Sequence, residues 1–241
     1  MAYIIRSRYN FWINDISASS VGLVMEMPDP VPMAKQRYTV WTSGDTDNSS
    51  PDNTFEDIEY TFIARRFKTP DNFLSTDIYK LFAEARTLRI SQNPNRYYKI
   101  KRVVNIVPSA AHHGNEITYR ITLALSPFAY HTDNSQTLVV NNQIENPGTR
   151  YSRPIYKFAH AQNTTTFLSV NGQVLEINYQ AATPIIIDCE RMIAMSESGV
   201  NQTQYTAGQF PFLSPGTNLL SAYYGEMTQV DLYVTGNWRD Y

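Results

Sequence analysis

Apolar and polar residues alternate cleanly in the middle of the chain. Over residues 117–125, Ile117, Tyr119, Ile121, Leu123 and Leu125 share one side, and Thr118, Arg120, Thr122 and Ala124 share the other. A period of two is that of a strand with one buried face. Pro127 has no N–H to donate, so pairing is expected to end there. Phe128 and Tyr130 offer large apolar surface just past that stop. Pro127, Phe128 and Tyr130 therefore read as an aromatic latch at a domain junction, followed by the polar run 131–136.

Residues 58–67 repeat the alternation through Ile58, Tyr60, Phe62 and Ala64. The period then changes. Leu74, Ile78, Leu81, Phe82 and Ala85 form one stripe of an amphipathic helix over 74–85, which Asp71 or Ser75 is placed to cap. Residues 9–25 read as a strand, a turn at Asn14-Asp15 and a short strand near Leu23. Pro28, Pro30 and Pro32 then impose an extended, unpaired crossing, and residues 38–42 form a short strand. Residues 43–57 hold too little apolar surface for a core and read as a long polar loop that either orders against a partner or stays flexible and solvated. A strand begins at 88–90, a turn covers 92–95, and strands at 97–107 and 117–125 pair around a loop at 109–116. The first domain, residues 1–131, is thus a small β-sandwich or barrel with one helix and a hairpin.

Residues 132–241 carry short apolar runs at 137–140, 153–159, 166–170, 173–179, 184–189, 192–195 and 228–235, most of them separated by Gly, Asn or Pro. That spacing predicts a β-sandwich without helices. The fold class is mainly β.

Composition narrows the function. At 241 residues with 17% charged side chains, the chain is globular and only lightly charged. The 17 Tyr suit pleated surfaces and interfaces. Cys189 is the only cysteine, which excludes an internal disulfide and a thiolate-built zinc site; it reads as a small buried residue. No apolar run approaches the roughly 18 residues that span a bilayer, and residues 1–12 lack a long apolar stretch. Neither membrane insertion nor a signal peptide is expected.

The search for chemistry yields little. His112 and His113 sit at a predicted hairpin tip, where adjacent side chains diverge and rarely chelate one ion. Asp188 and Glu190 are read on one strand face, which does not make the opposed carboxylates of a glycosidase. No nucleophile elbow, zinc-protease or phosphate-loop motif occurs. No catalytic residue, cofactor or metal site is expected. Charge is uneven: residues 65–102 carry net +7, whereas residues 45–59 carry six acids and no Lys or Arg. Basic residues interleaved with Tyr97 and Tyr98 raise single-strand nucleic-acid binding as one reading, and solvated faces of a helix and a hairpin as the plainer one.

At this point several segments, in order, resemble one family. In the first half they are residues 58–67, the helix, residues 95–104 and the closing 121–130 with Pro127, Phe128 and Tyr130; in the second half they are 146–158, 170–179, 185–190, 208–218 and 234–241. They are similar to the distal tail proteins (Dit) of long-tailed siphophages. The resemblance implies a belt-like first domain that forms a homo-oligomeric ring, usually a hexamer, and a galectin-like second sandwich projecting outward. It implies a non-enzymatic virion protein at the distal end of the phage tail, assembled in the host cytoplasm. Its partners would be further copies of the chain, the tail tube protein, a tail-tip or tail-associated protein, and receptor-binding or baseplate proteins; DNA would be passing cargo only. Members often carry a basic residue where Asp45 stands, so contacts from that loop do not carry over.

A closed ring needs one surface of a subunit to meet a different surface of its neighbour. The acidic and basic stretches are complements for such a contact. Phe55 would enter a neighbour's pocket, with Asp52, Glu56 or Asp57 near Arg86, Arg89 or Arg96. A different reading is a carbohydrate-binding module contacting host-surface glycans. Against it, Trp238 is the only Trp after residue 130, and no aromatic platform is visible in the sequence.

Overall fold

The computed structural model describes residues 9–43, 46–67, 76–110, 116–179, 182–224 and 228–241, with backbone only at 40–43, 46–53, 67, 76 and 110. Leu74, the capping candidates Asp71 and Ser75, Asp45, and His112-His113 lie outside the described residues, as does the side chain of Asp52. The chain divides into two compact units, residues 1–130 with Tyr241, and residues 131–240.

The first unit runs β1 (Phe11–Ile13), β2 (Ile16–Ser17), a 3-10 turn (Ala18–Val21), β3 (Leu23–Met25), β4 (Gln36–Ser43), β5 (Thr46–Phe55), β6 (Ile58–Phe67), α1 (Thr76–Ala83), β7 (Thr87–Ile90), β8 (Arg96–Ala110) and β9 (Glu116–His131). Its main sheet has the order β2-β1-β7-β8-β9-β6-β3, and β4 pairs with β5 as a separate hairpin. β6 and β9 pair from Ile58↔Leu125 to Phe67↔Glu116. The alternating apolar sets of both strands therefore fall on one face, and Tyr60, Phe62, Tyr119, Ile121, Leu123 and Leu125 are buried there. Thr122 and Ala124, on the other face of β9, are buried as well. Thr122 meets this environment with a 2.9 Å hydroxyl–hydroxyl bond to Thr61.

α1 presents Ile78, Leu81 and Phe82 to the same core. Eight residues are too few to hold a helix alone, so this buried stripe is what stabilises it. Phe82 lies 6.2 Å from Phe11, which in turn packs edge-on to Phe62 at 4.9 Å.

Two sequence expectations are corrected here. Pro127 does not end β9, which continues to His131. The ladder with β6 stops at Leu125, two residues earlier, so on that side the missing N–H costs no hydrogen bond. The stretch 43–57 is not a loop, since most of it is β5, paired with β4 from Ser43↔Thr46 to Gln36↔Phe55 with one irregularity near Gln36. Backbone pairing, rather than an apolar face, makes it a strand.

The proline segment is held by its neighbours. Tyr60 Oη donates to Asp29 O (2.9 Å) and Gln92 Nε2 to Pro28 O (3.0 Å). Burial first, then the nearby Tyr98 and Asp29, pushes the Tyr60 phenol well above its ordinary range.

The second unit runs β10 (Gln136–Leu138), β11 (Gln143–Asn146), β12 (Ile155–Phe158), β13 (Thr166–Val170), β14 (Gln173–Ile177), β15 (Ile185–Asp188), β16 (Ile193–Ser196), β17 (Thr206–Gly208), β18 (Gly216–Tyr224), β19 (Thr228–Val230), β20 (Leu232–Thr235) and β21 (Arg239–Asp240). One sheet has the order β10-β20-β12-β15-β16; the other has β11-β18-β13-β14-β17, with β19 on β18. A single core draws Tyr156, Phe158, Ile187 and Val234 from the first sheet and Leu168, Leu175, Leu220 and Ala222 from the second.

β18 is the longest strand of this unit, yet it carries no apolar run that marks it in the sequence. Its inward positions include Asn218, fully buried, and the small Ala222. Asn218 is satisfied: its Nδ2 donates to Ser214 O and Gly216 O, and its Oδ1 accepts from Ser214 N and Asn171 Nδ2. At Gly208 in β17, φ is +106° and an added Cβ would lie 2.5 Å from Val174 O, so close strand approach requires glycine there.

Candidate interaction surfaces

The Asn14-Asp15 turn organises the first surface. Both residues have positive φ, 49° and 65°. Asn14 Oδ1 accepts from the backbone N–H groups of Arg86 (2.8 Å) and Thr87 (3.1 Å), and Asn14 Nδ2 donates to Glu84 O (2.7 Å). One side chain thereby clamps the connection from α1 to β7 and fixes where Arg86 and Arg89 emerge.

Arg89 faces Trp12 in the β1–β7 register. Its guanidinium lies 4.7 Å from the Trp12 ring centroid, and Nη2 reaches Asp15 Oδ1 at 3.4 Å. Arg86 leaves its side chain exposed. Arg96 opens β8 and donates from Nη1 to Asn95 O (3.2 Å).

Among the acidic candidates, Glu56 is tied by its backbone N–H to Lys35 O (2.9 Å), with its side chain exposed. Asp57 Oδ1 lies 2.6 Å from Lys101 Nζ within the same chain. Phe55 is half-buried, with its ring 5.3 Å from Phe128 and 5.8 Å from Tyr241. Within one chain, Phe55 thus packs in an aromatic cluster, and Asp57 and Arg89 pair with Lys101 and Asp15.

Of the latch residues, Phe128 and Tyr130 have ring contacts within the first unit. Phe128 and Tyr130 are buried, and Pro127 is half-buried. Tyr130 stacks on Tyr97 at 5.5 Å, and Lys99 Nζ sits 4.1 Å from the Tyr130 centroid. Tyr98 packs against the core. Of the residues that raised a nucleic-acid reading, Tyr97, Tyr98 and Lys99 are engaged in packing within the unit, whereas Lys80, Arg86, Lys101 and Arg102 are exposed.

In the second unit, Glu190 does not share a strand with Asp188, because β15 ends at Asp188 and a turn follows. Asp188 Oδ1 accepts from the N–H groups of Glu190 and Arg191, both at 3.0 Å, which closes that turn. Cys189 is buried, and burial, reinforced by Asp188, pushes its thiol far above the ordinary range. No group of three or more potential metal-binding side chains occurs among the described residues.

One feature of this unit escaped the sequence reading, which looked for a Trp. Phe167 and Tyr223 are directly opposed on β13 and β18, and their rings stack at 5.3 Å and 24°. On each strand the neighbouring residues (Thr166 and Leu168; Ala222) are buried in the core, so the pair stands on the outer face of the sheet. Two residues along the same face, Ser169 opposes Ser221. Cross-strand pairs become visible only once register is known.

No family model matches the chain. No curated protein matches it either. Among solved structures it resembles the crystal structure of SPP1 Dit (gp 19.1), described as a paradigm of the hub adsorption apparatus in phages infecting Gram-positive bacteria. The TM-score is 0.63 at 12% identity, over 94% of this chain and 98% of that one. At that identity the likeness is one of fold.

Proposed function

We propose that this protein is a non-enzymatic structural component of a phage tail, a homo-oligomeric ring at the distal end that joins the tail tube to tail-tip or baseplate proteins. The observation that carries this reading is the fold likeness to SPP1 Dit, which spans nearly the whole of both chains. A shared local motif would cover one unit at most; here the likeness covers 94% of the chain. On this reading the first unit forms a belt, hexameric as in the resembling family, and the second projects from it as a galectin-like domain. Tail tube, tail-tip and receptor-binding proteins dock on the ring, and DNA only passes through it.

Asp52, Phe55, Glu56 and Asp57 on one surface, and Arg86, Arg89 and Arg96 on another, are the candidates for contacts between subunits, and the side chains of Glu56 and Arg86 are exposed. Light scattering on the purified protein tests the reading. A particle of six chain masses is expected, and a strict monomer at tens of micromolar would overturn it.

A further inference from the structure

Residues 27–35, between β3 and β4, belong to no strand or helix, yet their burial repeats every three residues. Pro28 and Ala34 are buried and Val31 packs against the core, whereas Met27, Asp29, Pro30, Pro32, Met33 and Lys35 are exposed. A period of three is that of polyproline II, which has three residues per turn and no internal hydrogen bonds. One ridge, through Pro28, Val31 and Ala34, lies on the core. A second carries Met27, Pro30 and Met33, and the third carries Asp29, Pro32 and Lys35. Each ridge holds one proline, so φ is fixed near −65° on all three sides.

The rest of the unit pins this segment in place. Glu26 N donates to Ile63 O (3.0 Å), Gln92 Nε2 to Pro28 O (3.0 Å), Tyr60 Oη to Asp29 O (2.9 Å), and Glu56 N to Lys35 O (2.9 Å). The conformational freedom that a flexible peptide loses on binding is therefore already lost on folding.

The outward ridges define what such a segment fits. Met27 and Met33, at 75% and 70%, are the two most exposed large apolar side chains among the described residues. They stand two turns apart on one ridge, about 19 Å at the rise of polyproline II, with Pro30 between them. Strand addition is ruled out as the mode of docking, because Pro28, Pro30 and Pro32 have no N–H to donate. The alternative is the groove that reads polyproline II, which is lined by aromatic rings. Thioethers pack well against such rings and adapt to irregular pockets. On the third ridge Asp29 and Lys35 are also two turns apart and opposite in sign, which fixes the direction in which a groove can read the segment.

We infer that residues 27–35 are a preordered polyproline II ligand, whose Met27–Pro30–Met33 ridge docks in an aromatic-lined groove of another protein. The rim of that groove carries a cation beside Asp29 and an anion beside Lys35. This inference does not rest on the hub reading.

The probes are three purified domains with aromatic grooves for polyproline II, an SH3, a WW and an EVH1 domain, each titrated calorimetrically into the full-length protein. Saturable binding of one domain per chain is expected for at least one of them. It should weaken by about tenfold or more in M27E/M33E and persist in M27L/M33L, which keeps an apolar ridge. P30G, which frees φ at the centre of the ridge, should weaken it as well. Both methionines point to solvent, so these variants keep the fold; thermal melting and light scattering run in parallel check this. Binding by none of the three domains, binding unchanged in M27E/M33E, or binding lost in M27L/M33L would each overturn the inference. A changed particle mass in M27E/M33E would also overturn it, assigning the ridge to a contact between copies of this chain instead.

Discussion

Lys101 Nζ lies 2.6 Å from Asp57 Oδ1, joining the β5–β6 connection to β8 within one chain. Both side chains are about half exposed, at 51% and 44%. An ion pair so open to water is worth roughly 0–1 kcal/mol. Asp57→Ala is therefore expected to lower the stability of the first unit by less than about 1 kcal/mol. Urea denaturation at low and high salt checks this, the small difference shrinking as salt rises. A loss above 2 kcal/mol would mean that Asp57 serves a buried contact.

Phe82 is the opposite case. It is 2% exposed, lies on the inner stripe of α1, and packs near Phe11. Phe82→Ala should cost about 3–5 kcal/mol, as deletion of a buried aromatic does. A loss under 1 kcal/mol in chemical denaturation would show that α1 is not seated on this core.

Tyr156 is fully buried, and its hydroxyl has no hydrogen-bond partner among the described residues. Leaving a buried hydroxyl unpaired costs about 1–3 kcal/mol. Tyr156→Phe keeps the ring and removes the orphan, so the melting temperature should hold or rise. A fall of several degrees would reveal an unrecognised partner, such as an ordered water.

Burial raises the Tyr60, Tyr156 and Cys189 acids above their ordinary values. The folded state then keeps protons that the unfolded chain gives up. Their contribution is fully present below the unfolded values, 9.0 for the thiol and 10.0 for the phenols, and is lost as pH rises beyond them. Denaturation midpoints measured from pH 7 to pH 11 should be flat to about 9 and then fall. In the same range Cys189 should resist a thiol reagent until the unit unfolds. Rapid modification of the native protein at pH 8 would contradict its burial.

The fragment 131–240 contains both sheets of the second unit and its whole core. It should fold alone and unfold cooperatively. On the hub reading it should remain a monomer, because the ring contacts belong to the first unit. A monomeric fragment beside an oligomeric full chain is the expected pair of masses. An oligomeric fragment would reverse the roles of the two units.

What the sequence determined by itself was the set of elements whose faces are chemically distinct. Ile117 to Leu125 alternates because only one face of β9 joins the hydrophobic core, the other burying the small Thr122 and Ala124, and Ile78, Leu81 and Phe82 recur at helical spacing because α1 lies on the same core. Burial of that kind is written residue by residue, so it can be read locally. β5 and β18 could not be read that way. The first is made a strand by backbone pairing with β4, and the second buries Asn218 and Ala222 where a strand usually buries large apolar groups. The interaction residues were less legible still. Which acid meets Lys101, which ring Arg89 lies on, and that Phe167 faces Tyr223 all depend on register between distant segments. A one-residue slip would send each side chain to the opposite face, and only the packed tertiary structure forbids the slip.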